Sequence, residues 1–399
     1  MVNSNSQNLS DNLEVKKSTR TSRWLLVSIY ALICASSQTL WLTFAPITTS
    51  SAAKYHVSIN LIGWLSEIFP LAYFLFAIPA GKALDRWFIP SLVTGGFINA
   101  TGSIVRFIYP SYYFLLTGQT LISISQPLLL NAITRVSNDY LDTADQPNGL
   151  AVGSSSLFFG MLLALLFGSI FGVKELQLLM VIEGVVSTFL AFTLLIASKR
   201  IHPIKIGSSS ESAKVISLLR NKRFIALLLV AAVGFGAFIA ITTWLQSILS
   251  HRGISSSSAG FLLALMVVAG TLGAALLPSI VTKHKLQTHQ MYATTVLATL
   301  GCFTIAVVNS LTITAVVLGV EGFFLIGALP TILDAADKTN RGNEGLASGL
   351  VWLSGNGGGL AISLGVQQLI NSPFASFLLL AIIAAFTILL VPYLRFNSV

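Results

Sequence analysis

Three carboxyls stand inside stretches that are otherwise apolar: Glu67, Glu183 and Glu321. A charge at the centre of a bilayer costs at least about 2.5–3.5 kcal/mol, so each must face protein or water, or carry a proton. Such a group can relay a proton or hold a cation. Glu321 falls nearly mid-way along its apolar stretch and is the first candidate for coupling to protons or another cation. Glu67 lies nearer an end and either shares that role or only rings an entrance, while Glu183 reads as structural. A second chemistry belongs to rings and amides. The face of Trp41 can hold an ammonium, worth roughly 0.5–2 kcal/mol, or the ring is part of an interfacial belt. Phe238, Trp244 and Trp352 are further ring candidates. Gln38, Gln126, Asn131, Gln246 and Asn356 can orient a solute by hydrogen bonds, or bond one helix to another.

Other chemistries find no residues. His56, His202, His251, His284 and His289 fall in loops or at the ends of apolar stretches, away from any interior where haem could be ligated. No metal-spaced Cys/His cluster, phosphate loop, dinucleotide fingerprint or catalytic triad is present, so neither an enzyme nor a bound cofactor or metal is expected. Gly355–Gly359 matches G-x-G-G-G but lies within an apolar stretch. Cys34 and Cys302 are far apart, which argues against a disulfide framework.

The elements that must position these residues are membrane helices. Charged residues are 9% of the 399 positions, apolar residues 54%, and the mean hydropathy is +0.81. An ordinary globular domain carries about 25% charged residues. Helices of about 20 residues cross the hydrocarbon. The pattern predicts twelve, near 24–50, 59–81, 90–109, 112–137, 147–172, 177–198, 222–249, 257–281, 289–309, 311–335, 345–370 and 374–394. Of the 23 Lys and Arg, 19 then fall on one face and 4, namely Lys54, Arg106, Lys174 and Arg252, on the other. The positive-inside rule places the 19, and with them both termini, in the cytosol. The net charge of +9 is therefore a topology signal, and no nucleic-acid partner is expected. The organisation reads as a cytosolic tail at 1–23, a six-helix half at 24–198, a basic, Ser-rich cytosolic linker at 199–221, a second half at 222–394 and a tail at 395–399. The expected setting is the plasma membrane, with the lipid bilayer as surroundings and the chain a monomer.

The halves echo one another. Asn148-Gly149-Leu150-Ala151 opens span 5, and Glu344-Gly345-Leu346-Ala347 opens span 11, 196 residues later. The second stretch, EGLASGLVWLSGNGGG, holds six glycines in sixteen residues. Each would cost roughly 1 kcal/mol relative to Ala in a water-soluble helix. In lipid, small residues let helices approach closely, either for static packing or so that spans can slide. Two parallel six-helix repeats with a solute held between them are the architecture of the major facilitator superfamily. Gly81–Trp87, GKALDRW, resembles that superfamily's G-x-x-x-D-[RK] signature between spans 2 and 3. Asp85 would latch the cytosolic side shut, with Gly81 and Arg86 in the same motif and Arg135 and Asp334 as inner-gate ion-pair members, or as side chains that merely snorkel. The corresponding stretch PSIVTKHKL lacks the acid. The Arg early in span 4 of many proton-coupled drug exporters is also missing, which lowers the case for proton-driven antiport.

A narrower resemblance rests on Trp41, Tyr55, Val57, Trp64–Ser66, Leu71-Ala72-Tyr73, Pro79, Asn99-x-x-Gly102-x-x-x-Arg106, Gly118-Gln119 and Gly322–Pro330. These residues are similar to the FLVCR family, the feline leukaemia virus subgroup C receptor-related transporters, associated with haem, choline and ethanolamine. The resemblance implies an aromatic cage that pairs Trp41 with a span 7 Tyr, but that position looks like Ile239, beside Phe238. A family Gln appears as Phe158, another as Asn356, and Glu67 stands where a Met is expected. The expected function is movement of a small organic solute, amine- or choline-like or vitamin-like, by alternating access. The rivals are proton-coupled efflux and a non-transporting receptor or sensor on the same scaffold.

Overall fold

The computed structural model describes residues 19–204, 215–340 and 344–394. Most of the expected tails, the middle of the linker and Arg341 lie outside these residues. No strand occurs among the described residues. The helices are α1 (Arg20–Leu42), α2 (Thr48–Tyr55), α3 (Ile59–Arg86), α4 (Phe88–Ile108), α5 (Tyr112–Leu130), α6 (Ile133–Tyr140), α7 (Gln146–Phe171), α8 (Leu176–Arg200), α9 (Val215–Leu218), α10 (Lys222–Ser250), α11 (Ser256–Lys283), α12 (Gln287–Val307), α13 (Leu311–Thr339), α14 (Glu344–Gln367), α15 (Pro373–Thr387) and α16 (Val391–Leu394). A 3-10 turn, Ala45–Ile47, joins α1 to α2.

Local chemistry sets many starts. Thr19, Ser58, Ser111, Asn221, Ser255, Ser310 and Ser372 each accept a backbone N–H of the helix that follows. Each satisfies a donor that would otherwise be stranded at a helix end. Nine helical stretches among the described residues are long and apolar enough to cross a membrane. The other three expected spans are α14, α5 with α6, and α15 with α16. The fourth span breaks at Asn131-Ala132, after Pro127 has removed a donor from the ladder. Two expectations change. The first span ends at Leu42 rather than near 50, and Gly81–Arg86, expected in a loop, forms the last turns of α3.

The spans alternate between two faces. The terminal face carries Arg20, Trp87, Leu141, Ile201 and His284; the far face carries Tyr109, Gly172, Gly253 and Ser310. Within the first half α1 packs on α7, and within the second α10 packs on α14. The two glycine-rich helices thus serve equivalent contacts. A Cβ on Gly160 would strike the Ala35 backbone, and one on Gly358 the Ala232 backbone. Close packing is the reason for those glycines. Gly345 and Gly349, near the terminal face, touch nothing. The halves meet chiefly through α7 with α11 and α3 with α14.

Candidate functional site

A cavity of about 410 Å³ lies between the halves. Gln38 and Trp41 of α1, Tyr73 of α3, Gln126 of α5, Phe158 and Met161 of α7, Phe235 of α10, and Trp352 and Asn356 of α14 are among its walls. The rings are fixed from outside. Trp41 donates its Nε1–H to the Ser66 carbonyl at 3.0 Å and stacks on Phe69, 6.0 Å between centroids. Tyr73 donates its hydroxyl to Asn131 Oδ1 at 2.7 Å, and Asn131 donates in turn to the Ala77 carbonyl at 3.1 Å. Asn131 therefore positions Tyr73 and does not border the cavity. Phe235 meets Trp352 edge-on at 5.5 Å. Gln38 is buried, and its Nε2 has no partner among the described residues. Asn356 donates to the Trp352 carbonyl, which leaves its oxygen as an acceptor. No wall residue carries a charge.

Toward the far face the halves close. Trp244 of α10 lies against Gly63 of α3, where a Cβ would overlap the indole ring. Its Nε1 donates to Ser363 Oγ at 2.8 Å, and Ser363 of α14 donates to Glu67 of α3. Gln246 accepts the Thr49 N–H at 2.9 Å and donates to Thr49 Oγ1 and Ser256 Oγ. Trp244 and Gln246, expected in the cavity, thus belong to this seal. Toward the terminal face the cross-half hydrogen bonds found among the described residues give way to exposed surface around Asp85. The Asp85 side chain is exposed and has no partner among the described residues, and Gly81 has nothing within 4 Å of a Cβ. Arg135 donates to the Leu84 carbonyl at 2.7 Å, at the negative end of α3, and pairs with Asp139 at 3.0 Å. Arg86 lies over Trp87, 4.5 Å from its centroid. Asp334 pairs with Lys338 one turn away at 2.7 Å. Arg135 and Asp334, expected as gate partners, are each satisfied within their own half.

Residues 26–364 match the family model described as Major Facilitator Superfamily. The chain belongs to this superfamily. It is a multi-pass membrane transporter and not an enzyme. Solute carrier family 49 member A3 of Danio rerio is 29% identical over 360 residues, covering 84% of this chain and 75% of that protein. The choline/ethanolamine transporter FLVCR2 of Homo sapiens is 23% identical over 397 residues, covering 91% and 74%. Among solved structures, a bacterial homologue of the human lysosomal transporter Spinster superposes with a TM-score of 0.75 at 17% identity, covering 94% of this chain and 98% of that one.

Other expected residues of this transporter lie elsewhere. Phe238 is buried and faces a second, more apolar cavity of about 710 Å³, lined by the second half and by Phe158 of α7. Glu321 borders neither cavity. It is buried against Gly301 and Cys302 of α12. Arg106, counted on the far face near the end of its span, is 0% exposed and pairs with Glu183 at 2.5 Å. Thr43 donates to the same carboxylate, and Arg106 also donates to Gln119. Two oppositely charged residues in neighbouring apolar helices carried the signal for this pair, since neither can be buried alone. Tyr73, Phe235 and Ser363 were missed as site residues, and Phe158 was named only as the place of a family Gln. Phe235 had a readable signal: it precedes Ile239 by four residues and so shares its helix face.

Proposed function

We propose that this transporter moves a small organic ammonium, choline- or ethanolamine-like, by alternating access at the cavity between its halves. The observation that carries the reading is a cavity walled by Trp41, Tyr73, Phe235 and Trp352 without any acid. A cation entering it must exchange part of its hydration for ring faces, each worth about 0.5–2 kcal/mol. Gln38, Gln126 and Asn356 supply amide groups for a hydroxyl on the same solute. Phe235 and Trp352 take the place of the second ring that the resemblance led one to seek at Ile239. The names of the choline/ethanolamine relatives point the same way. The positive-inside count makes the terminal face cytosolic, so the state described is open to the cytosol and closed outward. We place the chain in the plasma membrane as a monomer on the same sequence grounds.

The test is ligand-induced stabilisation of the purified protein, which grows as RT ln(1 + [L]/Kd). Choline and its neutral isostere 3,3-dimethylbutanol are compared on the parent, Trp41→Phe and Trp41→Ala. The expected order for choline is Trp, Phe, Ala, with up to about 2 kcal/mol lost across the series. The isostere should change far less. Equal losses for both would leave Trp41 a packing residue and remove the ammonium reading.

A further inference from the structure

Among the described residues, Glu67 is the one acid that joins the two halves across the far-face seal. It is 0% exposed. One carboxyl oxygen accepts from Ser363 of the other half, and the second has no partner. The elements around it offer no charge. From α1 comes Trp41, held by the carbonyl of Ser66 next door; from α5, Gln119, which donates to the Leu65 carbonyl; from α10, Trp244; and from α14, Ser363. The nearby α2 offers Tyr55, whose hydroxyl is unpartnered, and α4 offers Arg106. Arg106 is bonded to Gln119 and Glu183, with Glu183 on α8, and no charged group reaches Glu67, whose polar neighbours are Ser363 and Trp244. A bare carboxylate enclosed beside an indole and a hydroxyl is prohibitively placed unless it is neutralised. No basic side chain among the described residues contacts it, and the neighbouring hydroxyl donates rather than offering a metal a lone pair, so the neutralising species is a proton.

We propose that Glu67 is a proton-binding site of the transport cycle: the carboxyl holds a proton while the far face is closed over it, and releases that proton to far-side water when Ser363 and Trp244 withdraw. The balance is one O–H bond formed at Glu67, with the proton drawn from water, for each closure, and the same bond broken for each opening. The geometry makes the step reciprocal. Closure strips the carboxyl of water, and a proton makes the stripped state tolerable, so each event favours the other. The inference rests on the alternating-access reading, but it requires neither an ammonium solute nor any solute at all. It also differs from a coupling role for Glu321, which lies within one half and touches neither the seal nor the cavity.

The experiment measures the seal directly. Asn60 at the start of α3 and Asn371 just after α14 are exposed on the far face, one in each half. Spin labels at Asn60→Cys and Asn371→Cys, with Cys34 and Cys302 replaced, report their separation by double electron–electron resonance in nanodiscs without solute. In the parent, the short-distance population should dominate at pH 5 and fall at least threefold by pH 9. In Glu67→Gln, a permanent mimic of the protonated group, the short distance should persist at both values. Glu321→Gln should behave as the parent. A parent distribution that does not change with pH, or a Glu67→Gln protein as pH-sensitive as the parent, overturns the proposal. Should the glutamine variant fail to fold, Glu67→Asp keeps the ionisable group at a shorter reach from Ser363. It should retain the pH dependence with a smaller short-distance population at pH 5, and a pH-independent result would equally overturn it. If the pH response appears but choline fails to stabilise the protein, the ammonium reading falls and the proton site stands.

Discussion

The two faces of this transporter are held by opposite means. On the far face the halves touch through hydroxyl, amide and indole groups: Trp244 on Gly63, Gln246 to Thr49, Ser363 to Glu67. On the terminal face the ion pairs Arg20–Asp145, Arg23–Asp142, Arg135–Asp139 and Lys338–Asp334 each lie within one half. The difference shows what a reversible closure needs. A net hydrogen bond contributes only about 0.5–1.5 kcal/mol, because water replaces the partner when the surfaces part. A buried ion pair split between two halves would strand its charges. Charges satisfied locally let the terminal face open without that penalty, and exposed pairs of this kind are worth about 0–1 kcal/mol.

Behind the seal stands a buried ion pair, and breaking it should give the largest effect. Arg106→Leu leaves Glu183 buried without its cation, which costs about 3–5 kcal/mol. Replacing both by Leu should recover most of the loss. Thermal unfolding of the purified variants decides the matter. A single variant as stable as the double would mean that the pair is not the bracket joining α4 to α8.

The seal itself is next. Gly63→Val places atoms where the Trp244 ring lies. Overpacking of this kind typically costs 1–3 kcal/mol. Here opening the far face relieves the strain without unfolding, so the open population should rise about 5–150-fold. The Asn60–Asn371 spin-label distance reads that shift. An unchanged distribution would show that Trp244 has another place to go, and the contrast between a tight seal and a parted face would weaken.

The twelve spans and the repeat were legible because both rest on patterns a linear chain carries: charge-free runs, basic turns and glycine-rich echoes. Span 2 was cut five residues short because Lys82, Asp85 and Arg86 look like a loop, whereas a helix that projects beyond the bilayer keeps its own hydrogen bonds in water. The site was legible in part. Gln38, Trp41, Gln126 and Asn356 do line the cavity, and each lies on a helix that faces the other half. Trp244 and Gln246 lie on the right helix but nearer the far face, and depth along a helix depends on which face is closed. Sequence carries no signal for the conformational state. Tyr73 was hidden for a different reason: its hydroxyl is anchored by Asn131, at a helix break that apolar periodicity does not mark.

Asp85 sharpens the comparison from the open side. Its carboxylate has no partner in this state, so Asp85→Asn should change stability by less than about 0.5 kcal/mol. On the proposed alternating-access reading, its consequence belongs to the other state, where the terminal face closes. Transport should slow while solute binding to the purified protein stays within about twofold, roughly 0.4 kcal/mol. Flux measured in proteoliposomes beside the binding assay separates the two. Undiminished flux would mean that GKALDR closes nothing.

The smallest effect concerns the local pairs themselves. Asp145, just before α7, accepts two hydrogen bonds from Arg20 at 2.7 Å and one from Trp24 at 3.4 Å. The Arg20 bonds hold its carboxyl below the usual carboxylate range, against some opposing loss of hydration. A group lowered on folding contributes stability that is fully present above its unfolded value, about 3.9, and is lost as pH falls through the folded value. The start of α1 should therefore be equally protected at pH 8 and pH 6, and should loosen only on strong acidification. Hydrogen exchange over residues 20–26 measures this. Asp145→Asn should reproduce the acid behaviour at pH 6, because it removes the charge and keeps the shape. The far-face seal should not respond to that variant, since nothing in it touches α1 at Arg20. If Asp145→Asn also changes the Asn60–Asn371 distance, the terminal-face pairs are not local, and the two faces are coupled through α1.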